Sequence, residues 1–229
     1  MRYRTAALVA ALASGVNRIG EIQIEANGAN SRYRLFHFAD APLAILEENG
    51  GLEVYHGPSE ARQISLFTQS GDYRFLKAQR NLRRGWLMVI ESPADLRLAL
   101  DHFYPAALGL WLSHREGTLP VENLREKLDR QTGMYRRARL IDDERAQVLV
   151  AATCAACPGC ARRILWALSP TQPLIPSPAT TCTGIASNVA ETAAIPLLCA
   201  APCNHFVAEC LAASKHPSPA PILPSPGVI

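Results

Sequence analysis

The residues best equipped for chemistry in this 229-residue chain are its cysteines, and they are confined to one end. Cys154, Cys157, Cys160, Cys182, Cys199, Cys203 and Cys210 all lie beyond position 153, and nothing before that position carries a thiol. Cys154, Cys157 and Cys160 form a C-x2-C-x2-C hook, and Cys199 and Cys203 a C-x3-C hook. Thiolates two or three residues apart reach one metal centre through a tight turn, which Pro158-Gly159 supplies here. Two such hooks brought together offer four thiolates, a donor set for Zn²⁺ or an iron–sulfur cluster. A disulfide framework would staple the whole chain, and an odd count leaves one thiol over. Clustered cysteines in a chain of this length point instead to metal.

Spacing leaves the metal open between iron–sulfur and zinc, with iron–sulfur ahead. Zinc ribbons pair two C-x2-C hooks some 15–20 residues apart; here the hooks differ and lie farther apart. The bacterial ferredoxin run is uninterrupted, and this one is broken. Apolar neighbours (Ile164, Leu165, Trp166, Ile195, Leu197, Leu198, Phe206 and Val207) suit a shielded cluster and a plain core equally. Cys157 and Cys160 also read as a C-x-x-C redox pair, without the βαβ pattern of a thioredoxin. Cys182 and Cys210 read as spare thiols, and His205 as a packing residue that could serve as a fourth ligand.

The elements that must position these residues divide by composition. From residue 151 onward only five of the 43 charged residues remain, with 12 of the 17 prolines. That places a boundary near 150 and, with the helical reading below, an α+β unit over 1–140. A small Cys-rich metal-binding unit follows over 141–215, and a disordered Pro-rich tail over 216–229. A net charge of +3 is far too small to argue for nucleic acid by itself, and none is expected as a partner; no apolar run is long enough to cross a bilayer. Met1-Arg2-Tyr3-Arg4 with Thr5–Ala13 has the outline of a short secretory signal. Its Ala- and Leu-rich composition reads as a helix instead, and with it a reducing, cytoplasmic location.

Along the chain, a helix over 5–14 ends at Gly15. Strands over 21–26 and 33–38 make a hairpin around Asn27-Gly28, and 52–55 is a short strand. Ser59 is expected to cap a helix through Thr68 that buries Ile64 and Phe67. Trp86–Ile90 reads as a buried strand. Ser92 opens a helix presenting Leu96, Leu98, Leu100 and Phe103 and stopping at Pro105. Further helices are expected over 106–115, from Pro120 with Leu124 and Leu128, and from Asp142-Asp143 into Cys154. The fold class is α+β: a small mixed sheet with packed helices, then the metal-binding unit.

Several segments together carry a family resemblance. They are Asn81-Leu82-Arg83-Arg84-Gly85-Trp86, Leu98-Ala99-Leu100-Asp101, Phe103–Trp111 and Arg130-Gln131-Thr132-Gly133-Met134-Tyr135-Arg136. To these add Gly159-Cys160 with Ile164-Leu165-Trp166, and Leu197-Leu198-Cys199 with Cys203-Asn204. Over residues 5–212 the chain resembles the C-terminal half of bacterial CbiX-type sirohydrochlorin chelatase homologues, a stabilising domain followed by a [4Fe-4S] domain. The resemblance implies a [4Fe-4S] cluster on Cys160, Cys199 and Cys203. Cys154 and Cys157 compete for the fourth place, and Cys154 is preferred. The chelatase domain, with its metal-binding histidines, is expected to be missing, and His56-Gly57 is its one local echo. Hence no catalytic activity is expected of the chain alone, and a separate sirohydrochlorin-type chelatase is the expected partner in cobalamin or sirohaem synthesis.

No Gly-rich phosphate loop and no G-x-S-x-G elbow are present. Arg74, Lys77, Arg80, Arg83 and Arg84, and again Arg136, Arg137 and Arg139, form basic stretches. They read as a solvated face, with a grip on a carboxylate-rich tetrapyrrole or an acidic protein as the functional alternative. His102 and His114 read as structural. Three functions stay in play: a cluster-binding accessory protein for tetrapyrrole metalation, a zinc-stabilised interaction module, and a thiol–disulfide redox protein.

Overall fold

The computed structural model describes residues 2–27, 32–78, 80–129, 133, 136, 138–155, 160, 162–167 and 194–215. Gly28, Cys157, Pro158-Gly159, Cys182 and the 216–229 tail, singled out above, lie outside them.

Helix α1 (Arg2–Ala13) buries Leu8 and Ala11 and ends before Gly15, whose φ of +99° a side chain would resist. The Ala/Leu segment is thus a helix docked on the core. Strand β1 (Arg18–Ile19) pairs antiparallel with β2 (Ile22–Asn27), and β2 with β3 (Arg32–His37), where Ile24 faces Leu35. Strand β5 (Trp86–Ile90) runs antiparallel to β3 and parallel to β4 (Glu53–His56). The sheet order is β4-β5-β3-β2-β1, with a sixth strand, β7 (Ala194–Ile195), parallel to β1 at the far edge. Trp86, Met88 and Ile90 face one core, while Leu87 joins Phe36, Ala44 and Leu52 on the opposite face. Cover on both faces explains why β5 is apolar without alternation.

Helices α3 (Pro58–Leu66), α4 (Pro93–Phe103) and α5 (Ala107–Arg115) complete the first core. α3 packs on α4, and α1 on both α4 and α5. A short helix α2 (Ala41–Ala44) covers part of the other sheet face. Ser92 caps α4 as expected, accepting the Asp95 N–H at 3.1 Å. Three expectations are corrected. Gly57, at φ +89°, precedes α3, and Ser59 does not cap it. Phe67 is 43% exposed because the helix stops at Leu66 and Phe67 turns extended to bridge Tyr73. Leu98 is 39% exposed because α4 turns Leu96, Ala99, Leu100 and Phe103 inward. Pro105 does end α4, and Gly117, at φ +68°, follows α5.

The second core gathers Leu124, Leu128, Ala138, Ile141, Ala146, Val150, Trp166, Phe206 and Val207. Helix α6 (Leu124–Asp129) begins four residues later than Pro120, where the Asn123 side chain accepts the Arg125 N–H at 2.8 Å. Helix α7 (Asp143–Leu149), capped by Asp142, continues as a π turn over Val150–Ala155. Strands β6 (Arg163–Ile164) and β8 (Leu198–Cys199) pair in parallel, and α8 (Asn204–Lys215) closes the unit. The packing divides between Leu112 and Leu124, earlier than the composition shift. The division is incomplete, since Ile195 and Leu197 of the Cys-rich half bury in the first core. Among the described residues, no helix is long and apolar enough to cross a membrane.

Candidate metal centre

Each hook is delivered by a different local device. The π turn after α7 carries Cys154, and widened turns of this kind mark functional sites more often than ordinary helix does. Thr153 Oγ1 donates to the Leu149 carbonyl at 2.7 Å and lies 3.5 Å from Cys154 Sγ. The Cys160 N–H donates to the Thr153 carbonyl at 3.4 Å, folding the first hook back on itself. β6 then runs beside β8, so that the Arg163 N–H reaches the Leu197 carbonyl (2.6 Å) and the Leu165 N–H the Cys199 carbonyl (2.9 Å). Cys203 stands at the start of α8, where its Sγ accepts the Phe206 N–H at 3.5 Å.

The result is a cavity of about 600 Å³ lined by Cys154, Cys160, Cys199 and Cys203 together. Arg162, Ile164, Trp166, His205 and Phe206 complete that side, and Phe75, Leu76, Lys77, Pro105 and Leu110 of the first unit form the facing wall. Burial pushes the Cys154 thiol up to about 12 and raises those of Cys160 and Cys199. The neighbouring cysteines add to each of these shifts, which places the sulfurs within electrostatic reach of one another. Arg162 pulls the other way on Cys160 and Cys199, and its Nη1 is anchored on the Leu198 carbonyl at 3.0 Å.

Three features bear on what this cavity can hold. Its donors are soft thiols in an apolar shell, the chemistry that selects iron–sulfur clusters, zinc or Cu(I). Trp166 is fully buried, and its indole N–H makes no hydrogen bond among the described residues although the ring lines the cavity. It still stands near enough to the Cys199 thiol to pull its pKa down, against the larger upward push of burial. Finally, among the described residues no three His, Cys, Asp or Glu side chains converge tightly enough for a single metal ion. Cys154, Cys160, Cys199 and Cys203 all line one cavity, and such a set of thiols in an apolar shell fits an iron–sulfur cluster.

The other candidates fall elsewhere. Cys210 is fully buried on α8 within the second core and does not line the cavity. His205 lines the wall, its ring edge-on to Phe75 at 6.1 Å. His56 is exposed on the edge strand β4, away from the cysteines. The basic stretch is not one solvated face. Arg74 is buried, donating from Nε to Asn81 Oδ1 (2.7 Å) and from Nη2 to the Lys77 carbonyl (2.9 Å), with its guanidinium over the Tyr104 ring. Lys77 donates to Ser65 Oγ and the His102 carbonyl, and burial lowers its pKa. Arg83 bonds Tyr55 and Glu53. Arg139 pairs with Asp129, and Arg137 lies outside the described residues. In the sequence Trp166 stands out only as an apolar neighbour and as part of the Ile164-Leu165-Trp166 segment, and nothing in linear spacing marks Phe75 or Leu110 as part of this wall.

Comparison with known proteins agrees with this geometry. Residues 2–115 match the family model of the DR2241 stabilising domain, and residues 116–211 that of a 4Fe-4S iron–sulfur cluster binding domain. The junction falls at the end of α5, where the packing divides. Among solved structures, the chain is similar to DR2241 from Deinococcus radiodurans, with 26% identity and a TM-score of 0.70. That protein is described as a multi-domain protein with structural similarity to chelatases and two additional novel domains. The match covers 93% of this chain and 42% of that one, so the chain spans less than half of its relative. No curated protein matches the chain. An α+β unit that matches the stabilising-domain model is thus followed by a region that matches a 4Fe-4S binding model; an assignment to the CbiX type in particular is not among these matches.

Proposed function

We propose that the chain holds a [4Fe-4S] cluster on Cys154, Cys160, Cys199 and Cys203 and serves as an accessory protein to a separate chelatase that metalates a sirohydrochlorin-type tetrapyrrole. The observation that carries the first half is the meeting of four thiols from two separate hooks on one cavity, inside a region matched by a 4Fe-4S family model. A single zinc asks all four sulfurs to lie about 2.3 Å from one point, whereas a cluster meets each thiolate at its own iron. The 4Fe-4S family match over residues 116–211 favours the second. When bound, such a cluster supplies one-electron redox chemistry and ligation free energy.

The residues of this chain do the rest. The π turn and the β6–β8 pair hold the two hooks against each other, and Phe75 and Leu110 supply apolar wall on the first unit's side. Arg162 offsets the negative charge that four thiolates would gather. The second half of the proposal draws on the chelatase similarity described for DR2241.

The test is anaerobic purification with metal analysis and a visible spectrum. The expected result is a brown protein with about four irons and as many sulfides per chain. A colourless protein holding one zinc overturns the reading. Cobalt insertion into sirohydrochlorin by an added chelatase, with and without this protein, tests the partner, and no change in rate or in co-purification overturns that half.

A further inference from the structure

Trp166 is an expensive residue to leave as it stands. Its ring is fully buried, 5.3 Å from that of Phe206, and cannot reach solvent. Its backbone is pinned on both sides. The Leu165 N–H is bound to the Cys199 carbonyl at 2.9 Å and the Ala167 N–H to the Glu122 carbonyl at 3.0 Å, while the Ala167 carbonyl accepts the Leu124 N–H at 2.7 Å. The ring thus has little freedom to turn its N–H elsewhere. That N–H makes no hydrogen bond among the described residues, and the ring lines the cavity shared by the four cysteines. The other buried tryptophan shows the ordinary solution, since Trp86 donates its Nε1–H to the Arg83 carbonyl at 2.7 Å. A buried donor without a partner carries a desolvation penalty and calls for an explanation.

We infer that Trp166 is a positioning residue of the loaded protein: its indole N–H donates to the Cys199 sulfur and raises the reduction potential of the centre. The inference rests on the cluster reading above. A donor aimed at a ligating sulfur stabilises the more negative, reduced state more than the oxidised one, so the potential rises. Arg162 acts on the same sulfurs through its net charge, with its Nη1 held by the Leu198 carbonyl. Trp166 offers a dipole without a net charge, inside the shell and shielded from solvent.

The test is Trp166→Phe in the full chain, which keeps an aromatic ring beside Phe206 and removes the donor together with part of the ring volume. Iron and sulfide content and the midpoint potential are measured on anaerobically purified protein. The expected result is unchanged iron content with a more negative potential, a shift of about three- to tenfold in the reduction equilibrium, or about 30–60 mV for one electron. An unchanged potential at full iron content overturns the inference and leaves the cluster reading intact; a wild-type protein without iron overturns the cluster reading itself. Should Trp166→Phe fail to retain iron, wild-type protein labelled with ¹⁵N-indole decides. Pulsed EPR of its reduced form should show nitrogen coupling to the centre, and the absence of coupling overturns the inference.

Discussion

The Leu165 N–H donates to the Cys199 carbonyl at 2.9 Å, so the residue next to Trp166 is tied directly to a cysteine of the second hook. With the Arg163–Leu197 bond, it makes β6 and β8 a parallel pair that brings Cys160 and Cys199 to one cavity. Parallel pairing requires a crossover connection, so this pair cannot be read from either hook alone.

The ligand set predicts a sorted response to replacement. Cys199→Ser and Cys203→Ser should each abolish the cluster, taking iron from about four per chain toward none. Cys210→Ala should keep it, because Cys210 points into the second core and not the cavity. Iron and sulfide analysis of the three variants reads the result; colour surviving both serine changes would show the assignment to be wrong.

Ile195 couples the two units. It pairs with Ile19 across β1 and β7 and is buried in the first core, a short step before Cys199. Ile195→Ala should cost about 2–5 kcal/mol, and Ile195→Val only about 0.5–1.5 kcal/mol. The alanine variant should also release iron faster to a chelator. Urea unfolding and chelator kinetics check both; a destabilised variant with wild-type iron release would mean the sheet edge does not support the metal centre.

The iron-free protein should lose stability at alkaline pH. Burial pushes the Cys210 thiol up from 9.0 to about 12. Above pH 9 the unfolded chain surrenders that proton while the folded chain keeps it, so stability falls as pH rises from about 9 toward 12 and is unaffected below. The slope is at most about 1.4 kcal/mol per pH unit for one thiol. Cys154 acts in the same direction, so Cys210→Ala should flatten the decline without abolishing it. Urea unfolding of both proteins at pH 8 and pH 10 gives the comparison, and equal losses would sink the argument.

Gly20 and Tyr104 form a tight structural contact. Gly20 has φ +55°, and a Cβ there would stand 2.6 Å from the Tyr104 ring, which is held in place by the Glu21 N–H at 2.9 Å. Gly20→Ala should cost about 2–5 kcal/mol from left-handed strain and overpacking together. Tyr104→Phe leaves the Glu21 N–H unpaired and should cost about 1–3 kcal/mol. Thermal and urea unfolding measure both, and a neutral Gly20→Ala would refute the contact.

Local elements were legible because their causes are local. Ser92 and Asp142 announce helix starts through their own side chains, and the alternation of Ile22 and Ile24 marks the core face of β2. Phe67, Leu98 and Arg74 were misread for the opposite reason. Their exposure depends on where a helix ends, how it is rotated, and whether an aromatic ring from a distant segment covers a guanidinium.

The sequence alone determined the supply of thiols, their grouping into two hooks, the α+β order of elements and the apolar character of the cysteine shell. Each of these is a matter of residue type and spacing. The tertiary structure decided that Cys154 and Cys160 share a cavity with Cys199 and Cys203 while Cys210 packs in the second core, that the first unit supplies part of the wall, and that Trp166 lines the same cavity with its N–H buried. Those outcomes belong to residues that meet only after the β6–β8 and β1–β7 pairings form, and contacts between distant segments are fixed by packing and loop closure rather than by any interval along the chain.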